Sequence, residues 1–427
     1  MTTEFGTGQA TGDSGDAAAM DAIRGAMADI SASEPDFCQI FCSPAYDYDA
    51  VLWGARSVVG SDTEIVGCSS SGEFTETGSG NGTVTVGVVS SDSMRFFSSI
   101  STELSADPER CLFEAVHDLP ASGDPAVDGY PHRTIINLHD GMAGIGNKVT
   151  RLTEQYLDDE ETPVVGGSAG DDLQLQQTHV FRNDRVETDA VVLTLIAAED
   201  ALPVTVNHGH EPISEAMTVT RAEGSTVYEL DGRPAFEAWR DAIREDAMET
   251  YDIDVDELEA GSEDLVMLLG RYELGIESEP ESDADGLASR IKTFIESKLI
   301  STTGYNIRWP GHTTDTEGPL DFAVTVSEGT EVVVTHSNKS DQVYAVRNAA
   351  NNAVNELRGG SVAGGFVYDC ACRAMILGED FDDAVDTIHS AIDAPFAGFE
   401  TYGEVCSADE DYTGYHNTSS VILLFPE

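Results

Sequence analysis

The chain has 427 residues and carries 78 Asp and Glu against 22 Lys and Arg, a formal net charge of −56. An acidic excess of that size leaves no basic patch for phosphate contacts and argues against a nucleic-acid partner. It fits an acid-rich, halophilic surface, because at molar salt the Debye length falls to about 3 Å and like charges are screened.

Hydrophobic content of 41% supports packed cores, and the length suggests two domains of roughly 200 residues each. Seven cysteines, an odd number at irregular spacings, form no secreted disulfide framework. Residues 1–16 are rich in Thr, Gly, Ser and Asp and have neither the basic nor the apolar region of a signal peptide, so they read as a disordered leader. No apolar run approaches a membrane span, and the expectation is a cytoplasmic protein without membrane insertion.

After the leader, residues 17–32 have helical spacing. Residues 36–43 then read as a strand, 47–59 as a helix with Tyr48, Val51, Leu52 and Ala55 on one face, and 64–68 as a second strand running into Ser71-Gly72-Glu73. The pattern recurs at 134–138, a helix carrying Ile145, Val149, Leu152 and Tyr156, and 163–171. It recurs again at 364–370, a helix presenting Phe381, Ala384, Val385, Ile388 and Ile392, and 398–404. The interval from strand start to the Gly of a Gly-acid pair is similar each time: Phe37 to Gly72, Thr134 to Gly170, Phe366 to Gly403. A further strand follows each copy, at 83–89, 190–196 and 420–425. The fold class is therefore α/β with mixed sheets: a two-domain protein of repeated strand-helix-strand-strand units, with helices packed on the sheets.

Between the second and third copies, His208 and His210 share one face of a strand, a spacing that could supply two metal ligands but offers no obvious third. Strands at 217–224 and 225–234 and a helix from near Pro234 follow. Two acidic insertions come next, 249–263 and 277–285. In the first, Asp252, Asp254, Asp256 and Glu263 have calcium-loop spacing, but Glu257 stands where that loop needs Gly, which favours a solvated acidic loop. Strands resume at 305–309, 321–326 and 331–335, and Ser340 is placed to cap a helix running to about Leu357.

The strand-exit loops of the copies supply the candidate ligand-binding residues: Cys68, Ser69 and Ser70; Gly167, Ser168 and Asp171; and Cys370, Arg373, Glu404, Asn417 and Thr418. In a shielded cavity, Arg373 could hold a ligand carboxylate, Glu404 or Asp171 an amine, and Ser69, Ser168, Asn417 and Thr418 could orient the ligand. The bland alternative makes the loops compact turns, the cysteines core thiols, and Arg373 with Glu404 a structural ion pair. The loop at 166–172 lacks the Lys of a phosphate-binding loop, and no dinucleotide fingerprint is present. For a cysteine nucleophile at Cys68 or Cys370, neither His389 nor His416 has a recognisable spacing, so no enzyme activity is expected.

The order of Val66-Gly67-Cys68, Gly72-Glu73, Gly166-Gly167, Gly209, Pro212, Leu230-Asp231-Gly232, Cys370, Arg373, Gly398-Phe399, Gly403-Glu404 and Asn417-Thr418 resembles the FIST family over nearly the whole chain after the leader. The resemblance implies an N-terminal FIST domain at 17–231 and a C-terminal one at 232–427. It also implies a sensor of small ligands, amino acids or similar metabolites, acting beside a histidine kinase, chemotaxis or second-messenger protein. Haem binding in some members makes a haem or metal sensor using His208, His210, Cys370, Cys372 or Cys406 the alternative, with Cys370 and Cys372 read as sharing a strand face that could offer two sulfur ligands. The stretch Tyr368-Asp369-Cys370-Ala371-Cys372-Arg373-Ala374 departs from the family's Phe-Ser-Cys-x-Gly-Arg-Gly.

Overall fold

The structure, a computed structural model, describes residues 3–159, 161–277, 304–407 and 414–427. Its elements repeat one unit. The first copy runs β1 (Thr3–Ala10), α1 (Gly15–Met27), β2 (Phe37–Cys42), α2 (Tyr48–Val59), β3 (Glu64–Ser69), a hairpin of β4 (Glu73–Thr75) and β5 (Gly78–Gly80), and a returning strand β6 (Val84–Ser91). The second runs β7 (Met94–Thr102), α3 (Pro108–His117), β8 (His132–His139), α4 (Gly146–Tyr156), β9 (Val164–Ser168), β10 (Val180–Arg182), β11 (Arg185–Glu187) and β12 (Ala190–Ala198).

The third copy opens with β13 (Val204–His208) and is then interrupted by an inserted subdomain. The insert comprises β14 (Glu211–Pro212), β15 (Met217–Glu223), β16 (Thr226–Leu230), β17 (Arg233–Pro234), α5 (Ala235–Tyr251), α6 (Glu263–Arg271), β18 (Leu274–Glu277), β19 (Tyr305–Arg308), β20 (Leu320–Asp321) and β21 (Glu331–His336). The copy resumes with α7 (Lys339–Glu356), β22 (Val362–Cys370), α8 (Ala371–Leu377), α9 (Phe381–Ile392), β23 (Phe396–Thr401), β24 (Glu404–Cys406), β25 (Gly414–His416) and β26 (Ser419–Pro426).

Each copy builds a six-stranded sheet in one order: opening strand, returning strand, two parallel strands, hairpin. The parallel pairs β2/β3, β8/β9 and β22/β23 are joined by helical crossovers, as parallel neighbours require. The hairpin is always borrowed. β10–β11 of the second copy extends β3 of the first, β24–β25 of the third extends β9 of the second, and β4–β5 of the first extends β23 of the third. The exchange therefore runs in a closed cycle across the boundary expected at 231/232.

One face of each sheet meets a shared centre, where Phe5, Phe37, Phe41, Phe366, Phe399 and Phe425 are packed from the first and third copies together with Val165 and Val192 of the second. The stacked rings of Phe41 and Phe399, 4.5 Å between centroids, lie at this junction. The outer faces carry the helices: α1 and α2 on the first sheet, α3 and α4 on the second, α7 and α9 on the third. All five apolar positions expected on α9 are buried, consistent with their helical spacing. The insert keeps its own core around Phe236, Trp239, Tyr272 and Phe322, beneath an eight-stranded sheet.

Four local expectations are corrected. Residues 3–10, read as part of a leader, form β1 and pair along their length with β6. The segment looks disordered because Gly6 and Gly8 give α1 room: a Cβ there would lie 2.0 and 1.9 Å from the Ala26 and Ala22 carbonyl oxygens. Asn338, not Ser340, caps α7, in a reciprocal capping box with Asp341. Of 321–326, only Asp321 is in a strand; Phe322, Val324 and Val326 are buried by irregular backbone. Cys370 ends β22 and Cys372 lies in α8, so they share no strand face. The first acidic insertion is solvated at Asp252, Asp254, Asp256 and Glu263, while the second lies beyond Glu277, outside the described residues. Among the described residues no helix is long and apolar enough to cross a membrane.

Candidate functional site

At the second parallel strand's exit each copy carries a hydroxyl three residues before an acid: Ser70/Glu73, Ser168/Asp171 and Thr401/Glu404. In the first and third copies these close a latch. Ser70 donates to Glu73, which also accepts from the Thr83 N–H (3.2 Å) and hydroxyl. Thr401 donates to Glu404, which also accepts from the Ser419 N–H (3.2 Å) and hydroxyl (2.8 Å). Each latch ties the start of a hairpin to the strand that follows it.

The second copy breaks the pattern. Asp171 instead accepts from the N–H groups of Leu175, Gln176 and Gln177 and from the Tyr402 hydroxyl, ordering the loop after β9. Ser168 is released to His139, whose Nε2 lies 2.8 Å from the Ser168 Oγ. The Asn137 amide donates to Thr153 (3.1 Å), which turns its oxygen toward His139 Nδ1 at 2.9 Å. That places the ring proton on Nδ1 and leaves Nε2 to accept from Ser168. Asn137 and His139 are two apart on β8 and so face the same way. Burial holds the His139 pKa down to about 3, keeping the ring neutral.

Ser168 and His139 line a cavity of about 130 Å³. Thr401, Tyr402, Tyr415 and Asn417 complete its polar wall, Met142, Leu173, Leu175 and Met375 its apolar wall, and Trp309, His312 and Ala323 reach in from the insert. The Tyr415 hydroxyl stands 2.9 Å from Ser168 and donates to the Tyr402 carbonyl (3.1 Å). Gly403, at φ 153°, passes so close that a Cβ would lie 1.9 Å from that hydroxyl. Asp140 is the one carboxylate in the described lining, with neither lysine nor arginine. It is committed to the N–H groups of Met142 and Asp189 and to the Thr178 hydroxyl.

The expected ligand-binding residues divide accordingly. Ser168 and Asn417 line the cavity, and Gly167 lies in β9 opposite Glu404. Cys370 and Thr418 are buried, Thr418 donating to Glu273 (2.6 Å). Cys68 is core, its thiol pushed well up by burial and Glu73. The Ser69 Oγ accepts the His179 N–H, and Ser70 and Asp171 are bound as described. Arg373 does not face the cavity: it is fully buried against Asp369 (2.7 Å) and the Gln342 carbonyl (3.1 Å), so its ion-pair partner is Asp369 and not Glu404. His208 Nε2 faces the Tyr305 carbonyl at 2.8 Å, and His210 lies beside Glu273. Among the described residues no group of three or more His, Cys, Asp or Glu is arranged to hold a metal ion. His139, Asn137, Tyr402, Tyr415 and Trp309 were not anticipated; the one signal for them was the hydroxyl-acid spacing, which the Gly-acid pairs overshadowed.

At the junction of the first and third copies, burial raises Glu73 to about 7 and Glu400 to about 8, the latter aided by Asp369, Glu73 and Asp172. An unfolded Glu titrates near 4.3, so between there and pH 7–8 the folded state holds more protons and stability falls as pH rises. Thermal melts should peak near pH 5 and lose several degrees by about pH 8.5. Glu400→Gln should flatten the upper part of that decline, and an unchanged slope would assign it to other groups.

Comparison with known proteins gives two matches in tandem. Residues 36–233 match the FIST N domain and residues 235–407 the FIST C domain. An uncharacterized protein of Methanocaldococcus jannaschii is 32% identical over 83 residues, 19% of this chain and 16% of that protein.

Proposed function

With FIST N and FIST C domains spanning most of its length, the chain is a member of the FIST family, whose domains are associated with sensing in signal transduction, and from that premise we propose that it binds a small neutral polar ligand in the cavity between the second and third copies and the insert. The observation that carries this is the cavity's make-up. A hydroxyl freed from its structural latch, two tyrosine oxygens and an asparagine are available for hydrogen bonds, aromatic and methionine side chains supply apolar contact, and no lysine or arginine stands in the described lining to neutralise a carboxylate. A zwitterionic amino acid therefore fits less well than a neutral metabolite, and Arg373 has no part in binding.

The role requires only binding. Trp309, His312 and Ala323 belong to the insert, while the remaining walls belong to the repeated copies, so an occupant strengthens the contact between the two. A change in that contact is what a separate cytoplasmic partner, a histidine kinase, chemotaxis or second-messenger protein, would read.

A panel of neutral metabolites screened by thermal melting tests the proposal. A true ligand at about 100 times its Kd adds about 2.7 kcal/mol, a rise of roughly 3–5 °C. It should also shift Trp309 emission, with the shift lost in Trp309→Phe, since Trp53 is exposed and Trp239 sits in the insert's core. Ligands that bind without involving Trp309, or only through carboxylates, would place the site elsewhere.

A further inference from the structure

We propose that Ser168 is a nucleophile for small neutral acyl compounds, esters or lactones, with His139 as its base and Asn137 as the residue that orients the base. The inference goes beyond ligand binding but rests on the same cavity. Three observations carry it. The Ser168 Oγ is 2.8 Å from His139 Nε2, and the Asn137 oxygen is 2.9 Å from His139 Nδ1, so nucleophile, base and orienting group stand in sequence within hydrogen-bond reach. The arrangement is confined to one copy: the matching hydroxyls of the other two, Ser70 and Thr401, are spent on Glu73 and Glu404. Finally, Ser168 borders a cavity and not solid core.

The step balances without a further reactant than water. Ser168 Oγ bonds to the acyl carbon as its proton passes to His139 Nε2, and the tetrahedral intermediate expels the alkoxide, which takes that proton and leaves as an alcohol. Water then attacks the acyl-serine with His139 again accepting the proton, releasing the acid and restoring the serine. The oxygen that becomes anionic has a source of donors beside the cavity in the first turn of α4, which begins at the lining residue Gly146 and whose N-cap, Ile145, offers no side-chain acceptor. His139 lacks a carboxylate partner and is held neutral by burial, so it accepts a proton reluctantly. Reactive acyl groups are accordingly favoured over amides.

The test uses the full chain with diisopropyl fluorophosphate, which loses fluoride on forming a serine ester. One adduct per chain is expected by intact mass, mapped by peptide analysis to Ser168. His139→Gln should slow labelling by about a hundredfold or more, while its melting temperature shows the fold retained. Hydrolysis of p-nitrophenyl acetate should fall in parallel. An unlabelled Ser168 in the folded wild-type protein, or labelling indifferent to His139→Gln, overturns the proposal. If that variant does not fold, the mapped position in the wild-type chain decides. A neutral metabolite that shifts Trp309 emission while Ser168 stays unlabelled would sink the nucleophile and leave the binding site standing; failure of both would remove the cavity's role altogether.

Discussion

Arg373→Ala is expected to destabilise the protein by about 3–5 kcal/mol, the cost of leaving a buried charge without its partner. Arg373 and Asp369 are both buried and pair at 2.7 Å one helical turn apart in sequence, where β22 passes into α8. Burial pushes the Asp369 carboxyl up, and Arg373 draws it back down. Gln342 of α7 closes the group by accepting from the guanidinium through its backbone and side-chain oxygens. With the guanidinium gone, Asp369 must bind a proton or remain charged in an apolar setting, and α7 loses a tie to α8. Urea denaturation should show the midpoint falling with the slope preserved. The paired replacement Asp369→Asn with Arg373→Met should recover part of the loss, because removing both charges removes the desolvation penalty. An unchanged midpoint for Arg373→Ala would mean that this arginine is free for ligand after all.

Withdrawing salt should have the second large effect. A net charge of −56 is distributed over surfaces such as Asp252, Asp254, Asp256, Glu257, Glu259, Glu263 and Asp264 of the insert and Asp382, Asp383 and Asp386 of α9, all exposed. Few cations stand among them; Arg240 and Arg244 near Asp256 are an exception. At about 0.1 M ionic strength the Debye length of about 10 Å spans several of these neighbours, whereas at molar salt it spans almost none. Melting temperature should therefore fall by roughly 10 °C or more between about 3 M and about 0.1 M KCl. Potassium chloride is the informative salt, since sulfate would strengthen burial by exclusion. A flat response would show that the acidic surface is tolerated without screening.

Much of the architecture could be read from periodicity, because it is written locally. The strands read at 37–42, 65–68, 134–138 and 364–370 are buried on both faces, and α2, α4 and α9 show their inward stripes at helical spacing. What escaped is what depends on distant partners. β1 has one large apolar residue, Phe5, among glycines and polar groups, and only the approach of α1 and the company of Phe366 and Phe425 explain it. The borrowing of hairpins leaves no local trace either, as β4 and β24 are three residues long and their partners lie in other copies.

The site was half visible. Ser168 and Asn417 stand in the expected loops, whereas Asp171 and Glu404, expected to hold a ligand amine, both fasten local backbone. Arg373 was misread for a physical reason: an arginine near a strand exit looks the same whether it faces a ligand or a carboxylate four residues back, and Asp369 had been in view throughout. His139 went unnoticed because a lone histidine ending a strand is ordinary until its neighbour's hydroxyl is seen to point at it.

The closed cycle of borrowed hairpins makes the two sequence domains poor cassettes for evolutionary shuffling. Cut at residue 231, the N-terminal piece would present β9 as a naked edge and carry an orphaned β4–β5, while the remainder would present β23 with nothing to cover it. Duplication or fusion of either piece alone would invite self-association by edge pairing, so the halves are best inherited together, and co-expressed fragments should reassemble where single ones precipitate.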